Sequence, residues 1–324
     1  MSAPPALTIA LPTLRRPALL AETLRSLLAQ TEASLEILVS DNGSGDETPE
    51  VVARHPDPRV RFRRNPATVP MVEHWNQILA EARGDLFTLV SDDDLVDPGF
   101  AAALIRVLRA DPRVALVLTR SELIDRQGKA LRQLPAPGRE LREGPEFLED
   151  WLCQDALLPV PTMVSTGTRT ALLRRLGGYP AFTDGLHADN ACAVALALHG
   201  RVAYAGDALL RYRVYPESAN RAAPWTRLAE ASGQAKAWLA SNAAVAERLA
   251  GLEPAVRRTL TRGFERFLRR EYQQRLLTQY LPALGIRETL RAAYAYPRDR
   301  GYSLSLPRFT ARVLRKGLVR RLRG

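Results

Sequence analysis

The sequence predicts an α/β protein: a mostly parallel sheet with helices on both faces, followed by a helical C-terminal region. Three observations carry that expectation. Apolar runs of strand length alternate with amphipathic helical stretches from residue 7 to about residue 120. The runs are continuous rather than alternating in polarity, as expected of strands covered on both faces. Beyond about residue 222 almost everything reads as helix, rich in alanine, leucine and arginine.

Taken in order, Leu7–Leu11 is a short apolar strand, and Arg16–Gln30 sets Leu19, Leu20, Leu24, Leu27 and Leu28 on one helical face. Leu35–Ser40 is a second strand, closed by the turn formers Asp41-Asn42-Gly43-Ser44-Gly45-Asp46. A helix around Val51-Val52, a strand at Val60–Arg63, a helix at Met71–Ala82 and a strand at Phe87–Ser91 follow. Gly99–Ala110 is helical and Val114–Thr119 is again a strand. The middle is less regular. Asp125–Glu146 reads as a polar loop, with a helix at Glu146–Asp155, a Pro-rich strand at Val160–Ser165 and a helix at Thr170–Leu176 ending in Gly177-Gly178. Ala188–Leu198 is a strongly apolar helix, followed by separate strands at Val202–Tyr204 and Leu209–Val214. The expected domains are 1–221 and a helical region 222–324, broken near Pro254, Pro282, Pro297 and Pro307.

Composition narrows the class. The 324 residues are 46% hydrophobic and 25% charged, enough for a sizeable core. No apolar run approaches the roughly 20 residues that cross a bilayer, and the N-terminus lacks the features of a signal peptide. Cys153 and Cys192 have no zinc or disulfide spacing and read as buried thiols of a reducing cytoplasm. The net charge of +11 calls for an anionic partner. Nucleic acid is disfavoured, because no binding motif or interleaved aromatics accompany the charge.

Polar clusters fall at the carboxyl ends of three strands, where sheets of this kind bind ligands. They are Pro12-Thr13, Asp41-Asn42 and Asp92-Asp93-Asp94. Three consecutive carboxylates repel one another, and a divalent cation with hard oxygen ligands, Mg²⁺ or Mn²⁺, offsets that repulsion. The plainer reading is an acidic turn capping the next helix.

Together, Pro12-Thr13-Leu14-Arg15-Arg16, Ser40-Asp41-Asn42-Gly43-Ser44-Gly45-Asp46 and Leu89-Val90-Ser91-Asp92-Asp93-Asp94 resemble glycosyltransferase family 2 over about residues 6–220. These are nucleotide-sugar-dependent, inverting enzymes of the GT-A fold. The resemblance implies a nucleotide-sugar site of Pro12, Thr13, Arg16, Asp41, Asn42, Asp92 and Arg213. Asp41 would accept a hydrogen bond from the base ring, usually uracil or thymine. Asn42 stands where a second Asp is common. Asp93 would be the metal ligand, with Ser91 at the first position of the Asp-x-Asp element. Asp189, before the helix ending at His199-Gly200, looks like the catalytic base, with Asp184 and His187 as rivals and an N-cap as the bland alternative. Arg213 would reach the diphosphate, and Tyr215 takes the place of a histidine that often completes the metal site.

Arg308, Arg312, Arg315, Lys316, Arg320, Arg321 and Arg323 interleave with apolar residues in a tail free of acids. Such a basic amphipathic helix over 308–324 suits an anionic membrane surface. The expectation is a metal-dependent glycosyltransferase of bacterial surface polysaccharide synthesis, UDP- or dTDP-sugar its donor and a glycan or lipid-linked glycan its acceptor. It would be cytoplasmic and peripheral at the inner face of the plasma membrane. A catalytically degenerate GT-A scaffold, prompted by Ser91, Ala188 and Tyr215, and a basic nucleic-acid-binding protein are the alternatives.

Overall fold

The computed structural model describes residues 4–136, 139–153, 165–215, 224–296 and 300–321. Its chain divides into two compact units. The first comprises Met1–Phe147, Leu158–Ala181 and Ala188–Tyr215; the second comprises Leu148–Leu157, Phe182–His187 and Pro216–Gly324. Residues 148–157, 182–187 and 216–221, expected in the first domain, thus group with the helical region.

The first unit is built on a ten-stranded sheet. Strands β1 (Leu7–Thr13), β2 (Leu35–Asp41), β3 (Val60–Arg64) and β4 (Leu86–Leu89) run parallel in the order β3-β2-β1-β4. All seven residues of β2 are buried, as the apolar run requires of a strand covered on both faces. Helices α1 (Pro17–Leu28), α2 (Thr48–Ala53), α3 (Met71–Glu81) and α4 (Phe100–Ala110) connect these strands and their continuation. Pro17 starts α1, where its fixed φ suits the first turn, and Leu20, Leu24 and Leu27 form its buried stripe. Each such leucine contributes about 2 kcal/mol through burial.

Beyond β4 the sheet departs from the parallel pattern. Strand β9 (Thr166–Arg169) lies antiparallel between β4 and β6 (Val114–Ile124). Its short polar TGTR run carries little strand signal; backbone pairing and the Thr168 hydroxyl, which donates to the Ala115 carbonyl at 2.7 Å, hold it. The strand expected at 160–165 falls largely outside the described residues. The expected loop at 125–146 contains two edge strands, β7 (Ala130–Gln133) on β6 and β8 (Leu141–Glu143) on β10 (Arg201–Arg213). Strand β10 replaces the two expected strands. Gly206-Asp207 acts as a bulge, with the register against β6 shifting between Ala205 and Leu209.

The two-residue strand β5 (Leu95–Val96) pairs antiparallel with Leu210-Arg211 of β10. Residues 90–94 are therefore a turn anchored in the sheet at both ends. Helix α5 spans Gly144–Cys153, α6 Thr170–Arg175 and α7 Ala188–Leu198. Nearly every residue of α7 is buried, in keeping with a helix apolar on all sides. Cys192 is buried there; the side chain of Cys153 lies outside the described residues.

The second unit is helical: α8 (Trp225–Ser241), α9 (Ala243–Ala250), α10 (Pro254–Arg275), α11 (Leu281–Ala295) and α12 (Arg300–Arg321). Its core gathers Leu228, Tyr272, Leu276, Tyr280, Phe309 and Val313, among others. Pro254 opens α10 as expected, whereas Pro307 lies inside α12 and does not end it. Phe309 and Val313 of α12 pack in this core, while Arg308, Arg312, Leu314, Arg315 and Lys316 are exposed. Among the described residues, no helix is long and apolar enough to cross a membrane.

Candidate active site

Parallel register aligns the ends of β1 and β2, with Pro12 opposite Ser40 and Thr13 opposite Asp41. The Asn42 backbone N–H donates to the Thr13 carbonyl at 2.9 Å, and Val90 donates to Ala10 at the same distance. Three polar strand ends thus meet along one edge of the sheet, as the order of elements requires.

The acid turn is the most charged part of that edge. Asp92, Asp93 and Asp94 are all buried. The Thr13 hydroxyl donates to Asp92 Oδ2 at 2.8 Å. One guanidinium nitrogen of Arg16 reaches both neighbours, 3.2 Å from Asp92 Oδ1 and 3.0 Å from Asp93 Oδ2. The Tyr215 hydroxyl donates to the same Asp93 oxygen at 2.6 Å. Burial pushes the Asp92 carboxyl up to about 6, Arg16 and Thr13 opposing the shift and the charge of Asp93 adding to it. Burial and the Asp93 charge push Asp94 well above the usual carboxylate range. Asp94 Oδ1 accepts the Arg213 backbone N–H at 2.8 Å, while its Oδ2 has no partner.

Among the described residues, no three His, Cys, Asp or Glu side chains converge as a metal cage. Asp92 and Asp93 nevertheless face one cation position, which the Arg16 guanidinium fills. Two hard carboxylates fit Mg²⁺ or Mn²⁺ held in the usual way, with phosphate oxygens completing the shell.

Arg213 is put to a different use from the expected reach toward a diphosphate. It is buried, and each guanidinium nitrogen bonds to protein: Nε to the Asp93 carbonyl at 2.7 Å, the others to the Arg126 carbonyl and to Glu22 at 2.8 Å. Thr23, next to Glu22, donates its hydroxyl to the Asp94 carbonyl at 2.8 Å. Arg213 therefore ties the end of β10 and helix α1 to the acid turn.

The turn after β2 is held differently. Asp41 is fully buried; its Oδ1 accepts the Ser44 N–H at 2.9 Å, and Arg64 Nε forms an ion pair 3.1 Å from Oδ2 without hydrogen-bond alignment. Asn42 Oδ1 accepts from Asn65 Nδ2 at 2.9 Å and from the Val69 N–H at 3.1 Å, and Nδ2 donates to the Val69 carbonyl. Gly43, at φ +75°, is required here: a Cβ would come within 2.9 Å of the Ala67 and Thr68 backbone. Behind the turn, Ser40 Oγ lies 2.7 Å from His74 Nε2, and Arg63 bonds both Ser40 and Asn65. Burial, aided by the Arg63 charge, pushes the His74 imidazole down to about 4, so it is neutral at pH 7.

Asp189 sits in the first turn of α7, a favourable place for a carboxylate at a helix N-terminus. Its Oδ1 accepts the Asn190 N–H at 2.8 Å. It borders a small cavity with Thr88, Thr168, Tyr179 and Cys192, apart from the interlinked acid turn. Burial, with the Asp189 charge adding, pushes the Tyr179 and Cys192 pKa values up, so both groups hold their protons. The rivals belong to the second unit: Asp184 pairs with Arg227 at 3.1 Å, and buried His187 lies 3.1 Å from Ser232 Oγ.

Sequence reading missed Arg64, Glu22 and the reach of Arg16 across two carboxylates. For Arg64 a signal existed, since the parallel register places it opposite Asp41. Glu22, and the bridge that Arg16 makes between Asp92 and Asp93, are visible only once α1 is docked beside the turn.

The chain's likeness to known proteins agrees with this architecture. A family model described as Glycosyl transferase family 2 matches residues 8–177. The chain is 30% identical over 140 residues to the GalNAc(5)-diNAcBac-PP-undecaprenol beta-1,3-glucosyltransferase of Campylobacter jejuni, covering 42% of this chain and 44% of that protein. It spans less than half the length of the curated relatives it matches. TarS 1–349 of S. aureus in complex with UDP-GlcNAc superposes with a TM-score of 0.62 at 15% identity, over 96% of this chain and 88% of that one. The mannosyltransferase PcManGT of Pyrobaculum calidifontis, in complex with GDP-Man and Mn²⁺, superposes with a TM-score of 0.59 at 21% identity, over 99% and 88% of the two chains. With the family model matching more than half of its residues, the chain belongs to glycosyl transferase family 2.

Proposed function

We propose that the protein transfers a sugar, with inversion, from a UDP- or dTDP-linked donor to a hydroxyl of a glycan or lipid-linked glycan in bacterial surface polysaccharide synthesis. One observation carries this reading. Two carboxylates of a single turn converge on one cation position, while the buried Asp41 carboxylate stands at the end of a strand in the same sheet.

In this mechanism Asp41 accepts the ring N–H of the base, and Pro12 and Thr13 wall the nucleoside at the end of β1. Asn42 holds segment 65–69 against β2, shaping the base pocket through its three hydrogen bonds. Asp93, with Asp92 beside it, would hold Mg²⁺ or Mn²⁺, which neutralises charge developing on the leaving diphosphate. Tyr215 and Arg213 fix Asp93, one through its carboxylate and the other through its carbonyl. Asp189 takes the proton from the acceptor hydroxyl as that oxygen attacks the anomeric carbon. A single displacement of this kind inverts the anomeric centre.

A lipid-linked acceptor would bring the protein to a membrane. The exposed Arg308, Arg312, Arg315 and Lys316 supply attraction to anionic headgroups, about 1 kcal/mol each near the surface. Phe309 and Val313 pack inside the second unit, so among the described residues the face left for this contact is the exposed basic residues together with Leu314.

The experiment is a binding and hydrolysis screen of the purified protein against nucleotide sugars with Mn²⁺. Binding or slow hydrolysis of a UDP- or dTDP-sugar is expected. Asp189→Asn should lower transfer by about 10²–10⁴-fold and leave donor affinity intact. A chain that binds no nucleotide sugar or nucleoside diphosphate overturns the reading. Unimpaired transfer by Asp189→Asn moves the base elsewhere.

A further inference from the structure

We infer that Arg16 is an exchangeable cation: it neutralises the Asp92–Asp93 pair before donor binding, yields its position to the divalent ion, and then binds the donor diphosphate. The inference rests on the donor-site reading above and adds an order of events to it.

The geometry is specific. A single nitrogen lies 3.2 Å from Asp92 Oδ1 and 3.0 Å from Asp93 Oδ2, so the guanidinium bridges two carboxylates instead of pairing with one. Among the described residues, the other donors to these carboxylates are neutral: the Thr13 and Tyr215 hydroxyls and the Leu14 backbone N–H. Arg213 passes beneath the turn, but its guanidinium bonds the Asp93 carbonyl and Glu22. Compensation of two buried adjacent charges therefore falls to Arg16. Although burial works against it, the charges of Asp92 and Asp93 raise the Arg16 pKa.

The partners differ in freedom to move. The Arg16 side chain is 31% exposed, against 6% for Asp92 and 12% for Asp93. It extends from the residue preceding α1, where Arg15 holds a left-handed φ of +55° and donates its N–H to Ser44 Oγ at 2.8 Å. The backbone is pinned while the side chain has solvent to swing into. A divalent ion and a guanidinium cannot share one position between two carboxylates. Entry of the ion releases Arg16, and the planar fork then meets phosphate oxygens with two parallel hydrogen bonds.

The test reads metal binding without turnover. Mn²⁺ is titrated into nucleotide-free wild type, Arg16→Gln and Arg16→Lys, with free Mn²⁺ followed by electron paramagnetic resonance. Removing the competing charge should tighten Mn²⁺ binding in Arg16→Gln by about tenfold or more, with Arg16→Lys between it and wild type. At saturating Mn²⁺ the same Arg16→Gln protein should bind UDP about tenfold more weakly than wild type. A wild-type measurement covers failure of the variants to fold. Mn²⁺ should speed phenylglyoxal labelling of the Arg16 peptide, read by mass spectrometry.

Equal or weaker Mn²⁺ affinity in Arg16→Gln, or labelling that Mn²⁺ does not speed, overturns the exchange. If Mn²⁺ affinity shifts as expected while no nucleoside diphosphate binds, exchange stands and the donor reading falls. If UDP binds and Mn²⁺ affinity is unchanged, the reverse holds.

Discussion

Two acidic turns, each following a buried parallel strand, are built on opposite plans. The Asp41–Ser44 turn after β2 contains one carboxylate, with one cation, Arg64, beside it, and its hydrogen bonds run to neutral amides and backbone groups. The Ser91–Asp94 turn after β4 contains three carboxylates bound to one another's neighbours through Arg16, Thr13, Tyr215 and Arg213. Both are equally hidden from water. The first arrangement conserves shape: its bonds determine where segment 65–69 stands. The second concentrates charge, and its geometry depends on which cation occupies the space between two acids. Under the proposed function, the first would read the base and the second would stabilise the diphosphate.

The largest effect should come from the charged turn. Asp93→Ala is expected to reduce transfer by about a thousandfold, since stabilisation of a leaving diphosphate is worth several kcal/mol. A variant retaining a tenth of the wild-type rate in a donor-saturated assay would break the contrast.

The shape-conserving turn predicts a pH effect instead. His74 holds its proton only below about 4 when folded, against about 6.5 when unfolded. Between these values the unfolded chain binds more protons. Stability is therefore complete above pH 6.5 and declines as pH falls toward 4, by about 3 kcal/mol in all. Urea unfolding at several pH values should show this slope, and His74→Gln should flatten it. Identical slopes would remove His74 from the brace behind the turn.

Asp41→Asn should have the smallest effect, raising the donor KM about tenfold with kcat nearly unchanged, because one charge-assisted hydrogen bond is weakened without touching the leaving group. A drop in kcat equal to the change in kcat/KM would place Asp41 among the transition-state contacts and erase the division of labour.

Legibility followed the same division. Strands β1, β2 and β4 and helix α1 could be read directly, because continuous apolar runs and a leucine stripe at helical spacing have few other uses. Strand β9 could not, since its pairing depends on β4 and β6 and hardly on its own TGTR residues. Gly206-Asp207 looked like a break and proved to be a bulge, a distinction that depends on β6 lying alongside. In the site, the acids were conspicuous at the strand ends. Arg213 was expected to reach a diphosphate, and its bonds in the structure go to Asp93, Arg126 and Glu22.

The sequence by itself determined the family, the parallel half of the sheet and the positions of the carboxylates, because hydrophobic periodicity and strand-end chemistry are local properties. Only the tertiary structure decided the partner of each charge. Arg16 meets Asp92 and Asp93 across more than seventy residues, and Arg213 meets Glu22 across 191. Among so many arginines, spacing cannot choose which one fills the space between two acids; packing of α1 and β10 against the acid turn does.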